Sequence, residues 1–243
     1  KQLPFTGGEF FTTNKYILEL SNKLADMTNG FKSFYSVSGS DAIEGAIKAA
    51  ALYHKSNGNP AKQKIIGITQ SYHGSTYLTS SIAGGSFMTS ITGSSNLCIQ
   101  AEQQSDPNEM LASIQQTIAT THADNISCIV IESCSWLGGL IEYPQEFWIQ
   151  LKELCNNHNI LLIIDDIAMC GGKTGKLFGF NIEPDIFTMG KSFSGGYFPL
   201  SATLISPKVA EVIKEEFWSH GFTNSFNMSG IYSTLEYLRI LEE

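Results

Sequence analysis

The chain has 243 residues, of which 42% are hydrophobic and 16% charged, and its formal net charge is -8. That length can bury one α/β core, and the acidic balance argues against gripping nucleic acid through a phosphate-neutralising surface. A small anionic ligand stays compatible, because helix N-termini hold anions whatever the global charge.

Helix and strand signals alternate along the chain. TNKYILELSNKLADMT (13–28) has a Thr/Asn start and apolar Ile17, Leu20 and Leu24 at helical spacing. FYSV (34–37) is a short strand. SDAIEGAIKAAALYHKS (40–56) is a helix with Ala42, Ala46, Ala50 and Tyr53 on one face. KIIGIT (64–69) predicts a buried strand, SFMTSITGSSN (86–96) a surface loop and PNEMLASIQQTIATT (107–121) a helix. ISCIVIE (126–132) predicts a strand, PQEFWIQLKELCNNHN (144–159) a helix and ILLIID (160–165) the most apolar strand of all. DIFTMG (185–190) and LSATLIS (200–206) predict two more strands, with a helix from Pro207. Strands apolar throughout and separated by helices imply a mostly parallel sheet covered on both faces, a three-layer α/β sandwich.

Cys98, Cys128, Cys134, Cys155 and Cys170 show no C-x-x-C spacing, which favours free thiols over disulfides or zinc, and no metal site is expected. With no apolar run of about 18 residues and no charged-then-apolar leader, the expected address is the cytoplasm, off the membrane. The chain opens at Lys1 and stops in TLEYLRILEE, an amphipathic helical pattern without a glycine or proline terminator. Both ends therefore read as cut from something longer.

In such sheets ligands sit beyond the carboxyl ends of the strands, so the residues following each strand matter most. After FYSV come Ser38, Gly39 and Ser40, suited either to an anion or to a plain helix cap. After KIIGIT come Tyr72, His73 and Gly74, a ledge for a planar ligand or simple rim packing. After ILLII come Asp165 and Asp166. Neighbours on a strand face opposite ways, so one would face the site and the other find a structural partner. After DIFTMG come Lys191, Ser192, Ser194 and Gly195. A lysine alone is usually a solvated surface group. Jointly, however, an anion turn, an aromatic ledge, a buried carboxylate and a lysine with room beside it suit one cofactor, pyridoxal 5'-phosphate. Asp165 would keep the pyridine nitrogen protonated and Lys191 would form the Schiff base. GGKTGK (171–176) looks like a phosphate loop, but Cys170 and Leu177 stand where that motif needs glycine and Ser or Thr.

Over nearly its whole length the sequence resembles the class III, fold-type I pyridoxal-phosphate aminotransferases. SGSDAIEGAIKAA resembles the family's phosphate turn, and QSYHGSTYLTSSIAG its YHG segment. ELCNNHNILLIIDDIAMCGGKTGKLFGFNIEPDIFTMGKSFSGGYFPLSATL resembles its long signature, and HGFTNSFN (220–227) its HGxT segment. The resemblance implies a phosphate site at Gly39 and Ser40 beside Ser38, with Tyr72 against the ring and His73 in the same segment. It further implies Asp165 on the ring nitrogen, Ile167 on the other ring face, and Lys191 as Schiff-base residue and proton shuttle. Thr223 would reach the phosphate of a partner subunit, which implies a homodimer with shared sites. Glu132 matches the glutamate of an EPxxG-type segment. Departures from the family pattern are Ser133 for proline, Trp136 for glycine, Asp166 for glutamate, Ala168 for glutamine, Cys170 for glycine, Lys173 for arginine and Phe226 for glycine. Cys170 and Lys173 are the expected places for an altered substrate.

The implied domain plan is an N-terminal helical segment (1–30) leading into a cofactor-binding large domain (31–243), with the small C-terminal domain outside this chain. The expected reaction moves an amino group from an amine or amino-acid donor to a carbonyl acceptor. Diaminopelargonate synthesis in the biotin pathway is the nearest resemblance, and diaminobutyrate or other omega-amino-acid transfer is the alternative. Two further readings stay open: a fold that binds cofactor without turnover, and an aminomutase or racemase using the same lysine.

Overall fold

The computed structural model describes residues 13–243 except Gly85 and Thr92. In chain order come α1 (Lys15–Met27), β1 (Lys32–Ser36), α2 (Gly39–Ser56), β2 (Lys64–Ile68), α3 (Tyr77–Ala83), α4 (Ser86–Thr89) and β3 (Cys98–Ala101). Then follow α5 (Pro107–Thr121), β4 (Ile126–Glu132), α6 (Gln145–Asn157), β5 (Leu161–Asp165) and β6 (Ile186–Met189). A 3-10 turn (Lys191–Ser194), β7 (Ser201–Ile205), α7 (Pro207–Ile213) and α8 (Met228–Glu242) complete the order.

The sheet has seven strands in the order β1-β7-β6-β5-β4-β2-β3. From β6 through β5, β4 and β2 to β3 every pairing is parallel, while β7 runs antiparallel to both β6 and β1. Two antiparallel steps restore direction, so β1 ends at the same edge of the sheet as β5, and β7 begins there.

Alternation along the central strands builds two cores. Cys128 and Val130 of β4 and Leu161 and Ile163 of β5 pack with Ala46, Ala50 and Val209 from α2 and α7. Ile129, Ile131, Leu162 and Ile164 pack on the opposite face with Leu20, Met110, Leu151 and Leu238 from α1, α5, α6 and α8. Each such buried aliphatic side chain contributes roughly 1.5–3 kcal/mol relative to exposure. Strands buried on both faces are near-continuously apolar, as ISCIVIE and ILLIID are apart from Ser127 and the carboxylates Glu132 and Asp165 at their ends. Of the expected N-terminal segment, α1 packs into the sheet's own core through Ile17, Leu20 and Leu24, and residues 1–12 lie outside the described residues.

The stretch expected to be one surface loop (86–96) contains the single turn of α4. Strand β3 and helix α3 lack a clear period in the sequence. Cys98, Ile99 and Gln100 of β3 are only half buried, because β3 is the edge of the sheet. The five cysteines are all free thiols. Among the described residues no helix is long and apolar enough to cross a membrane.

Candidate active site

Strand parity decides which polar side chains meet. Glu132 continues the series Cys128, Val130, and Asp165 continues Leu161, Ile163, so both carboxyls emerge on the α2 side. They are direct partners in the register of β4 and β5, and Asp165 in turn pairs with Thr188 of β6. Asp166 and Ser133 fall on the other face.

A cavity of roughly 200 Å³ lies at this edge. Gly39 and Ser40 from the first turn of α2 and Tyr72, His73 and Gly74 from the segment after β2 line one part of it. Glu132 and Trp136 from the end of β4, Asp165, Ile167 and Ala168 from β5 and beyond, and Lys191 after β6 line the rest. Residues as far apart in the chain as Gly39 and Lys191 thus face one volume. Ser38 and Thr223, both named from the sequence for a phosphate, are not among the lining residues. Ser38 caps α2, its side chain accepting the Asp41 N–H at 3.2 Å. Thr223 is exposed on the segment before α8.

Asp165 is 5% exposed and surrounded by donors. His73 donates from Nδ1 to Oδ2 at 2.8 Å, and Oδ1 receives the Ile167 N–H at 3.1 Å and the Thr188 hydroxyl at 3.3 Å. The expectation of stacking for the Tyr72–His73 pair meets a different geometry at His73. Its ring is buried and its Nδ1 is engaged by Asp165, leaving Nε2 without a partner. Tyr72 is 41% exposed. Thr188 lies in a strand whose neighbour the sequence does not reveal, so no sequence signal pointed to it.

Asp166 is a structural anchor. It receives the Ser133 hydroxyl at 2.6 Å and the Gly179 N–H at 3.0–3.1 Å, and burial pushes its carboxyl up to about 7. Ser133 also gives its N–H to the Asp165 carbonyl at 3.0 Å, a bond that proline lacks the donor to make. Glu132 is likewise pushed up to about 7, chiefly by burial, with His73 opposing the shift and Asp165 adding to it.

The backbone approaches neighbouring side chains closely at two glycines that line the cavity. Gly74 has φ 124°, and a Cβ there would stand 2.3 Å from Ser40 Oγ. At Gly39 a Cβ would stand 2.8 Å from Ile167 Cδ1. Lys191 follows Gly190 with φ 47°, a left-handed conformation that costs a non-glycine residue of order 1 kcal/mol or more. Cys170 and Lys173, the expected places for an altered substrate, are not among the residues lining the cavity. Cys170 is buried against the Gly190 carbonyl, with Sγ to O at 3.3 Å, and Lys173 donates to the Ala168 carbonyl at 2.8 Å. GGKTGK is turn structure with no helix opening at Lys176, so it lacks the phosphate-loop architecture.

Residues 7–243 match the family described as Aminotransferase class-III. The chain belongs to that family. An uncharacterized aminotransferase of Sinorhizobium fredii is 31% identical over 248 residues, covering 92% of this chain and 53% of the relative. The mitochondrial gamma aminobutyrate transaminase 1 of Solanum lycopersicum is 29% identical over 266 residues, covering 99% of this chain and 52% of the relative. Among solved structures, a transaminase from the marine bacterium Virgibacillus superposes with a TM-score of 0.94 at 27% identity, covering 99% of this chain and 57% of the other. An amine transaminase from an uncultivated Pseudomonas species, in its PLP-bound form, gives 0.92 at 26% identity, covering 99% and 60%. This class III chain therefore spans about half the length of the relatives it matches.

The class III family depends on pyridoxal phosphate, and the residues present fit it. The first turn of α2 offers unpaired N–H groups to a phosphate. Asp165 offers a buried acceptor, and the unpartnered His73 Nε2 and Glu132 Oε2 are polar atoms that a bound ring with polar substituents can satisfy.

Proposed function

We propose that this chain is the cofactor-binding part of an aminotransferase that moves an amino group from an omega-amine donor to a carbonyl acceptor. The observation that carries the reading is the convergence of Lys191, Asp165 and the α2 N-terminus on one cavity. Gly39 and Ser40 bind the phosphate through backbone N–H groups and a hydroxyl. Asp165, held by His73, Ile167 and Thr188, accepts a hydrogen bond from a protonated ring nitrogen. Ile167 and Tyr72 cover the ring faces and exclude water. When bound, pyridoxal phosphate supplies an electron sink for the pair released as the substrate Cα–H bond breaks. Lys191, the one lysine among the residues lining the cavity, takes that proton at Nζ and returns it to a neighbouring carbon.

The omega-amine class is preferred over diaminopelargonate because the named relatives and structures include a gamma aminobutyrate transaminase and an amine transaminase. The second protein partner in this reading is another copy of the chain, with Thr223 reaching the neighbour's phosphate. Purified protein mixed with pyridoxal phosphate is expected to gain a visible absorbance band, and Lys191→Ala to lose both that band and any amino transfer. A wild type that stays colourless overturns the reading. Bound cofactor without transfer from any of a panel of diamines and omega-amino acids supports the binding-only alternative instead.

A further inference from the structure

Two carboxyls share the cavity, and their surroundings differ. Asp165 has three donors on its two oxygens. Glu132, its register partner on the adjacent strand, is 6% exposed, has the backbone of Tyr72 and Trp136 nearby easing its ionisation, and has no hydrogen-bond partner on Oε2. Ala168 lines the same cavity, and its side chain carries no polar atom. An unpartnered carboxylate oxygen buried beside a second carboxylate is expensive, and the cheapest remedy is a proton.

We propose that Glu132 is a ligand-binding residue of this cavity, protonated on Oε2 and donating a hydrogen bond to an acceptor oxygen on the ring-bearing ligand. Asp165 and Glu132 then divide the work as two carboxyls in one site often do, one the acceptor and the other the donor. Burial pushes the Glu132 carboxyl up to about 7, so its neutral form prevails in mildly acid solution. The titratable groups facing it are Asp165 on β5, Tyr72 and His73 after β2, and Lys191 after β6; Gly39 and Ser40, which α2 brings to the cavity, carry no titrating group. Of these, Asp165 opposes ionisation of Glu132 and His73 favours it. The ligand's contact is therefore strong in mildly acid solution and weakens as Glu132 loses its proton.

This inference rests on the cofactor reading above, and the probe is pyridoxal phosphate itself, titrated into wild type, Glu132→Gln and Glu132→Leu from pH 6 to pH 8.5. The glutamine amide is a donor at every pH, so Glu132→Gln is expected to bind about as tightly as wild type at pH 6. It should overtake wild type by about fivefold to tenfold at pH 8.5. Glu132→Leu should be weaker than Glu132→Gln by a similar factor throughout. Comparing the variants at each pH cancels the ionisation of the ligand's own phosphate, which all three share. Without cofactor, the infrared carbonyl band of a protonated carboxyl should lose amplitude in Glu132→Gln at pH 6. A constant wild-type to glutamine affinity ratio across the range, or an unchanged infrared band, overturns the proposal while leaving the cofactor reading intact. Absence of pyridoxal phosphate binding by wild type overturns both.

Discussion

Asp165 and Asp166 are adjacent in sequence and a sheet thickness apart in role. Asp165 meets donors and the cavity, whereas Asp166 ties the end of β5 to Ser133 and to the Gly179 backbone. Ser133 and Asp166 both depart from the family pattern, and they touch each other at 2.6 Å, so the two changes form one compensated pair. The raised Asp166 carboxyl also has a consequence for stability. Its folded value of about 7 exceeds the ordinary 3.8, so the folded state holds the proton more tightly than the unfolded state. The associated stability is full below 3.8 and is lost as pH rises toward 7. Glu132 acts in the same direction between 4.5 and about 7. Urea unfolding should therefore show stability declining from pH 4.5 to pH 7, and Asp166→Asn should flatten the slope. The same variant should lose no more than about 1 kcal/mol at pH 5, because its amide oxygen can still accept the Ser133 hydroxyl and the Gly179 N–H while the amide nitrogen accepts neither. An Asp166→Asn slope identical to wild type would exclude this carboxyl as its source.

At the level of elements, the site is made by where helices begin. Helix α2 starts at Gly39 because Ser38 adopts an extended backbone and its side chain takes the Asp41 N–H, freeing the first N–H groups for a phosphate. The sequence left the Ser38 turn open between cap and anion site; the structure gives Ser38 the cap and brings Gly39 and Ser40 to the cavity. Ser38→Ala should cost about 1 kcal/mol of stability by denaturant titration and weaken pyridoxal phosphate binding in parallel. A loss of stability with unchanged affinity would separate the cap from the anion site. Strands β4 and β5 were readable from their unbroken apolar runs. Helix α3 and edge strand β3 were not, since one has a mixed Ser/Thr composition and the other is half exposed on a single-neighbour strand.

For the whole molecule, Trp136 lines the cavity and is exposed, and Tyr77, Leu137 and Tyr197, on the segments that follow β2, β4 and β6, are exposed as well. A second copy packed there would cover them and bring Thr223 to its neighbour's phosphate. Light scattering of the purified chain is expected to give twice the monomer mass. Thr223→Val should lower cofactor affinity without changing that mass, and a monomer that binds pyridoxal phosphate at full affinity would discard the shared-site arrangement. The sequence by itself determined the alternation of helices and strands, the opposite facing of the two aspartates, and the strand ends at which Gly39, Tyr72, Asp165 and Lys191 stand. These follow from local periodicity and chain order, which every residue carries with it. Only the tertiary structure decided the strand order, the reversal of β7, the pairing of Glu132 with Asp165 and the binding of His73 to Asp165. It also decided that Cys170 and Lys173 stand back from the cavity while Glu132 keeps an unpartnered oxygen within it. Those depend on which distant segments become neighbours, a matter of register and packing that no single stretch of sequence contains.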